Sequence, residues 1–266
     1  MLEFNHIASK DNSLIKRIVR LARESKFRQN EQHAVIYGEH LLFEALKFGL
    51  IEQAIIYDTV VEKYKELIEG LIDQSIVVKL ASSEVMQKIN VLESTVDVVA
   101  IIRFSSHKSI VDYQIKDSLV LENIQDPGNL GTILRAAYAS GINQIILSAN
   151  SVDIYNPKVL RASQGIQFGL RICSGVNLVD WISNYRGQIL AMVPSANLSL
   201  YEQNLALPTA FVLGNEGSGL SSEILSQIKT QVSIPMLGDA ESLNLAMAAT
   251  IGVFEMSRQR IINQRK

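Results

Sequence analysis

Three short stretches carry residue types that could do chemistry. "ENIQDPGNLGTILRAA" sets Asn129 and Arg135 after an Asp-Pro-Gly turn. "FVLGNEGSGLSSEI" sets Glu216 among Gly214, Gly217 and Gly219. "SIPMLGDAESLNLAMAATIGVFE" brings Ser242 and Asn244 to the start of a long apolar run. Glycines let backbone groups approach a ligand closely, and a carboxylate among them can hold a hydroxyl or an amine. Each stretch also has a purely structural reading. Asn129 could cap a helix, with Arg135 a surface ion-pair partner. The glycine loop could be a mobile turn. Ser242 could be the N-cap of the last helix, which would put Asn244 inside the first turn, where Asn is a mediocre helix former. The partner of a capping box is missing, because Leu245 stands three residues after Ser242. A cap at Ser242 leaves Asn244 unexplained.

Other chemistries have little support. The glycine loop is neither the dinucleotide fingerprint G-x-G-x-x-G nor a P-loop, since no Gly-Lys-Ser/Thr follows, which disfavours a dinucleotide oxidoreductase. His6, His33, His40 and His107 are scattered and no Cys/His spacing suits a metal. No G-x-S-x-G elbow occurs. The single cysteine, Cys173, sits in the apolar run "FGLRIC" and reads as a small core residue. Ser163 in "VLRASQG" reads as a small residue at a close helix contact.

The elements that must position these residues are legible as alternation. From Leu119 onward, "LVLENI", "QIILSA", "FGLRIC", "QILAMV", "AFVLGN" and "VSIPM" are apolar runs that predict strands. Between them lie the predicted helices "NLGTILRAAYASG", "PKVLRASQG", "LVDWISNYRG" and "SSEILSQIK", and a last helix begins near Ser242. Continuous apolar strands suit a parallel sheet covered on both faces. The expected form is a three-layer α/β domain with its site at the carboxyl ends of the strands. The N-terminal part alternates in the same way. "NSLIKRIVRLAR" is helical, with Leu14, Ile18 and Leu21 on one stripe. "EHLLFEALKFG" is a helix ending at Gly49, "TVVEKYKELIEGL" a second, and "SSEVMQKI" a third with a Ser cap; "HAVIYG", "IEQAIIY", "SIVVKL" and "VDVVAIIRF" are strands. The polar, less periodic "SSHKSIVDYQIKD" marks a boundary. We therefore expect a smaller α/β domain at 1–106, a linker at 107–116 and the main domain at 117–266.

The N-terminus has no apolar signal region and no run suits a bilayer, so the expectation is a cytoplasmic protein with no membrane and no metal partner. The formal charge of −2 argues against non-specific coating of nucleic acid. Charge is nevertheless grouped. Lys10, Lys16, Arg17, Arg20, Arg23, Lys26 and Arg28 face only Glu3, Asp11 and Glu24, and Arg258, Arg260, Arg265 and Lys266 form a C-terminal group. Such patches fit either a local RNA contact or an ordinary solvated helix face.

Taken together, "DPGNLGTILRAA", "VLGNEGSGL" and "IPMLGDAESLNLAMAATIGVFE", in that order, resemble the SpoU, or TrmH-type, branch of the SPOUT RNA methyltransferases; "NPKVLRASQG" between them is similar as well. The N-terminal part, with "IYGEHLLFEAL", resembles the L30e-like substrate-binding domain that many members carry. The resemblance implies methylation of a ribose 2′-hydroxyl in rRNA or tRNA with S-adenosyl-L-methionine, a homodimer, and a C-terminal deep trefoil knot. It implies cofactor contacts at Gly214, Gly219, Ile234, Met236 and Leu243, and RNA or catalytic roles for Asn129, Arg135, Glu216, Ser242 and Asn244. A non-catalytic RNA-binding or ribosome-associated module and a base methyltransferase are the alternatives. The alanine-rich "NLAMAA" departs from the family's more usual valine and serine pattern.

Overall fold

The computed structural model describes residues 5–92, 95–104 and 116–264. The chain divides into two units, one comprising Met1–Ser106 and Asp153–Phe168, the other His107–Val152 and Gly169–Lys266.

The first unit contains β1 (Asn5–Ile7), α1 (Ser13–Arg23), α2 (Ser25–Glu31), β2 (His33–Tyr37), α3 (Glu39–Lys47), β3 (Ile51–Tyr57), α4 (Lys65–Asp73), β4 (Val77–Ala81), α5 (Ser83–Ile89) and β5 (Val98–Arg103). Its sheet has the order β1-β4-β3-β5-β2, parallel from β1 to β3 and antiparallel through β5 and β2. Strand alternation divides the core in two: Ala34 and Ile36 face the α3 and α4 side, Val35 and Tyr37 the α1 and α5 side. Asn12 caps α1 by accepting from the Leu14 amide at 2.9 Å. The buried stripe of α1 runs through Ile15, Ile18 and Leu21, and Leu14 is only half-buried. Ser82 precedes α5 as expected, but its side chain makes no capping bond.

The N-terminal basic cluster is mostly engaged within the protein. Lys10 pairs with Glu84, Lys16 with Asp11, Arg17 with Glu52 and Arg20 with Glu24. Arg28 is buried, 2% exposed, and bonds to Asp153 at 2.7 Å. It is therefore not available to RNA. Asp153 begins the segment that packs into this unit, where Tyr155 stacks on Phe104 at 3.8 Å between ring centres and Leu160 joins the core. Breaking a buried ion pair strands a charge, so Asp153→Ala should cost about 3–5 kcal/mol, measurable by urea unfolding.

In the second unit, β6 (Ser118–Leu121), α6 (Pro127–Ala139) and β7 (Gln144–Ser148) come first. The chain then supplies α7 (Pro157–Ser163) to the first unit. It continues with β8 (Arg171–Val176), α8 (Leu178–Asn184), β9 (Gln188–Met192), β10 (Leu198–Ser199), β11 (Thr209–Leu213), α9 (Ser222–Gln227), β12 (Thr230–Ser233) and α10 (Leu245–Gln264). Beside the expectation of one domain from 117 to 266, α7 groups by its contacts with the first unit. Sequence proximity to β7 and β8 does not decide where a helix buries its apolar face. The expected linker, apart from Lys116, lies outside the described residues, as do Glu3, His107, Arg265 and Lys266.

The seven strands run parallel in the order β10-β12-β9-β11-β6-β7-β8. Both faces are covered. Val120, Ile146, Ala210 and Val212 pack against α8 and α9, where Trp181 stacks on Tyr185 at 4.8 Å. On the other face α10 lies so close that a Cβ at Gly252 would meet Met192 Sδ at 3.2 Å, and α6 packs along α10. Cys173 is buried in this core. The strand predicted at "FGLRIC" starts late, at Arg171, because Ile166–Gly169 form a 3-10 turn. Among the described residues no helix is long and apolar enough to cross a membrane.

Candidate active site

All strands of the second sheet point the same way, so their carboxyl ends share one edge. From that edge β6 runs into residues 122–129, β11 into the glycine loop and β12 into the loop before α10. A cavity of about 220 Å³ opens there, lined by Met192 at the end of β9, Leu213 at the end of β11 and Ser233 at the end of β12. The five residues expected at a cofactor, Gly214, Gly219, Ile234, Met236 and Leu243, all line it, together with Glu216 and Ser242.

The glycine loop folds back on itself. Asn215 N donates to Gly219 O at 3.0 Å and Gly219 N to Asn215 O at 2.9 Å. A Cβ at Gly214 would lie 2.2 Å from the Gly219 carbonyl carbon, and Gly219 has φ +69°. Both positions therefore require glycine. Asn215 holds the turn through its Oδ1, which accepts from the Gly217 amide at 2.9 Å and the Ser218 amide at 3.1 Å, and its Nδ2 donates to Asn123 O at 2.8 Å. Sequence reasoning passed over Asn215; its place beside Glu216 in the loop was the available signal.

The first motif begins differently from either expectation. Asp126, not Asn129, caps α6: its Oδ1 accepts from the Asn129 amide at 2.7 Å, and Pro127 takes the first helical position. This leaves the Asn129 side chain free for another use. Its Nδ2 donates to Glu216 Oε1 at 3.3 Å, and its Oδ1 accepts from Asn244 Nδ2 at 2.9 Å. The third motif is also reversed. The N-cap of α10 is Asn244, whose Oδ1 accepts from the Ala246 amide at 2.9 Å and the Met247 amide at 3.3 Å. The helix begins at Leu245, three residues later than the Ser242 start expected. Ser242 is exposed, and its hydroxyl has no hydrogen-bond partner among the described residues.

A polar chain thus links three segments distant in sequence: the start of α10, Asn244, Asn129, Glu216. Glu216 ends it by also accepting from the Asp126 amide at 3.1 Å and the Gln125 amide at 3.3 Å. Burial pushes the Glu216 carboxyl upward, but these amides, its own amide and the Asn129 side chain together outweigh burial and hold it below the usual carboxylate range. Glu216 is accordingly an ionised anchor for the turn. Arg135 lies outside this chain. It is exposed on α6 with no hydrogen bond or ion pair among the described residues. Ser163 is elsewhere, buried in the first unit, where its hydroxyl donates to Leu160 O at 3.0 Å and also meets Gln167 Oε1. It is the small packed residue expected.

The donor set fits an adenosine-bearing sulfonium ligand. Ile234, Met236, Leu243 and Leu245 give apolar walls for a ring, and Gly214 to Gly219 give backbone groups for its polar edge. Pro194 and Val193, beyond β9, also line the cavity, though "QILAMV" was read only as a strand.

The SpoU rRNA Methylase family matches residues 117–254, more than half of the chain. An uncharacterized tRNA/rRNA methyltransferase of Synechocystis sp. is 35% identical over 96% of this chain and 94% of its own. Among solved structures, an RNA 2′-O ribose methyltransferase aligns with a TM-score of 0.81 at 31% identity, covering 96% of this chain and 99% of that one. The AdoMet-bound rRNA methyltransferase of Sinorhizobium meliloti aligns with a TM-score of 0.81 at 27% identity, covering 96% and 98%.

Proposed function

This chain belongs to the SpoU rRNA methylase family, and from that premise we propose that it transfers a methyl group from S-adenosyl-L-methionine to a ribose 2′-hydroxyl of rRNA or tRNA. The observation that carries the proposal is one cavity walled by the second and third motifs, with Gly214, Gly219, Ile234, Met236 and Leu243 in its wall, and the first motif tied to both through the bonds of Asn129 to Glu216 and Asn244.

When bound, the cofactor supplies an electrophilic methyl on a sulfonium. What remains for the chain is to hold a poor nucleophile, the 2′-hydroxyl, in line and to stabilise the charge that develops as its proton passes to solvent water. Arg135 is a cation with no partner among the described residues, and it orients or activates the hydroxyl without taking the proton, because a guanidinium has donors only and no acceptor. Asn129, Asn244 and Glu216 fix the relative heights of the glycine loop, α6 and α10. Ser242 offers the cavity an uncommitted hydroxyl beside Leu243.

Three further readings go with this function. The second unit is a trefoil knot; support comes from the out-of-sequence strand order and from α10, whose Gln259 donates to Gln203 O at 3.1 Å and Arg260 to Leu205 O at 3.1 Å in the loop before β11. The first unit is the L30e-like RNA-binding domain, supported by its separate sheet and core. The protein is a homodimer, supported by Met247, Phe254 and Ile261, which expose an apolar row at seven-residue intervals on α10, with Tyr138 exposed on α6.

The test is to map ribose methylation in rRNA and tRNA from cells with and without this gene. The expected result is the loss of one 2′-O-methyl mark. Full retention of every such mark, or loss of a base methylation instead, contradicts the proposal.

A further inference from the structure

Glu122 takes no part in the chain from Asn244 to Glu216, yet it is a carboxylate only 8% exposed at the end of β6. It spends both oxygens on one residue. Oε2 accepts from the Ser221 amide at 2.8 Å and Oε1 from the Ser221 hydroxyl at 2.6 Å. Its own amide donates to Leu213 O at 2.9 Å. Leu213 is the last residue of β11 before the glycine loop, and Ser221 is the residue that caps α9 after it. One residue therefore closes both ends of the 214–220 loop.

That loop contributes Gly214, Asn215, Glu216, Gly217 and Gly219 to the cavity. Its internal bonds between Asn215 and Gly219 fix its shape but not its place on the sheet. Place is set by three ties to residues 122–129: Glu122 on Ser221, Asn123 O on Asn215, and the Gln125–Asn129 turn on Glu216. The cap of α9 does not require Glu122, because Ser221 Oγ accepts from the Ile224 amide at 3.3 Å unaided. Burying a carboxylate with two neutral donors is costly, and Val120, two positions earlier on the same face, is fully buried beside α8 and α9, so an apolar side chain suits that face.

We infer that Glu122 is a positioning residue for the methyl-donor loop. It acts through Ser221, holding the loop exit against β6 so that Gly214 and Gly219 present their backbone to the cavity. The inference rests on reading that cavity as the S-adenosylmethionine site.

The experiment is calorimetric titration of wild type, Glu122→Ala, Glu122→Gln, Ser221→Ala and the Glu122→Ala/Ser221→Ala pair with S-adenosylmethionine, alongside methyl-transfer kinetics. Losing this charge-assisted grip should raise the cofactor Kd and KM of Glu122→Ala about tenfold. The RNA KM, and kcat at saturating cofactor, should stay at wild-type values, a split that general destabilisation would not give. Glu122→Gln should keep most of the affinity, since its oxygen can accept from the amide while its Nε2 donates to the hydroxyl. Ser221→Ala should show part of the loss, and the pair no more than Glu122→Ala, because both remove the same contact. A folded Glu122→Ala with wild-type cofactor Kd, or losses that simply add in the pair, overturns the inference. If Glu122→Ala fails to fold, Ser221→Ala decides: an unchanged Kd overturns it. A wild type that binds no S-adenosylmethionine overturns the cofactor reading itself and this inference with it. That result is distinct from a wild type that binds and a variant that binds equally.

Discussion

Two sets of polar side chains come from the three motifs of the second unit, and they differ in what they have left to give. Asn244, Asn129 and Glu216 are committed to one another, to the first amides of α10 and to the turn before α6. Ser242 and Arg135 are exposed and have no partner among the described residues. Sites that do chemistry need both kinds: groups whose rotamers are locked, and groups held ready for the substrate. We read the first set as the frame of the site and the second as its working groups.

The largest effect should come from Arg135. Arg135→Ala should lower kcat by about 10²–10³-fold, the range for removing one charge-stabilising donor, and leave the cofactor Kd unchanged. Single-turnover kinetics and calorimetry check both halves. An equal loss in cofactor affinity would move Arg135 into the frame.

A smaller effect should separate Glu216 from a catalytic base. Its folded pKa is depressed, so its stabilising contribution is complete above the ordinary carboxylate value of 4.5 and is lost as pH falls through the depressed folded value. The difference in thermal midpoint between wild type and Glu216→Gln should therefore be constant near neutrality and shrink only on acidification below that range. A midpoint difference that changes around pH 7 would contradict the anchor role.

The smallest effects concern the two candidate caps of α10. Asn244→Ala should cost about 1 kcal/mol of stability, and Ser242→Ala should stay within about 0.5 kcal/mol, both by urea unfolding. The reverse order would restore Ser242 as the cap.

The sheet was legible because its strands are buried on both faces and read as unbroken apolar runs, as Leu119–Leu121 and Phe211–Leu213 do. Short edge elements were not. Asn5–Ile7, Ser25–Glu31 and Leu198–Ser199 are too brief or too polar to show a period. Cap positions failed for a different reason. Ser-Leu-Asn offers two capping residues two positions apart, and the choice depends on where the preceding loop delivers the chain. Asp126 and Asn129 pose the same ambiguity at α6. Long-range partners were invisible to spacing: Asn244 meets Asn129 across 115 residues, and Arg28 meets Asp153 across 125. That second pairing turned a residue of the basic cluster into a core residue. The cavity wall was legible only through the family resemblance, since Ile234, Met236 and Leu243 are indistinguishable from packing residues by pattern.

The measurement that bears most directly on the frame is Asn244→Asp, followed by both stability and methyl transfer. Aspartate caps a helix as well as asparagine and suits its positive end, so the thermal midpoint should hold. It has no N–H for Asn129 Oδ1, and turning the Asn129 amide over would set its oxygen against Glu216. Wild-type stability is expected with transfer reduced about tenfold, the cost of one lost hydrogen bond in the site. Full transfer at wild-type stability would contradict it, by showing that Asn244 is a cap and nothing more.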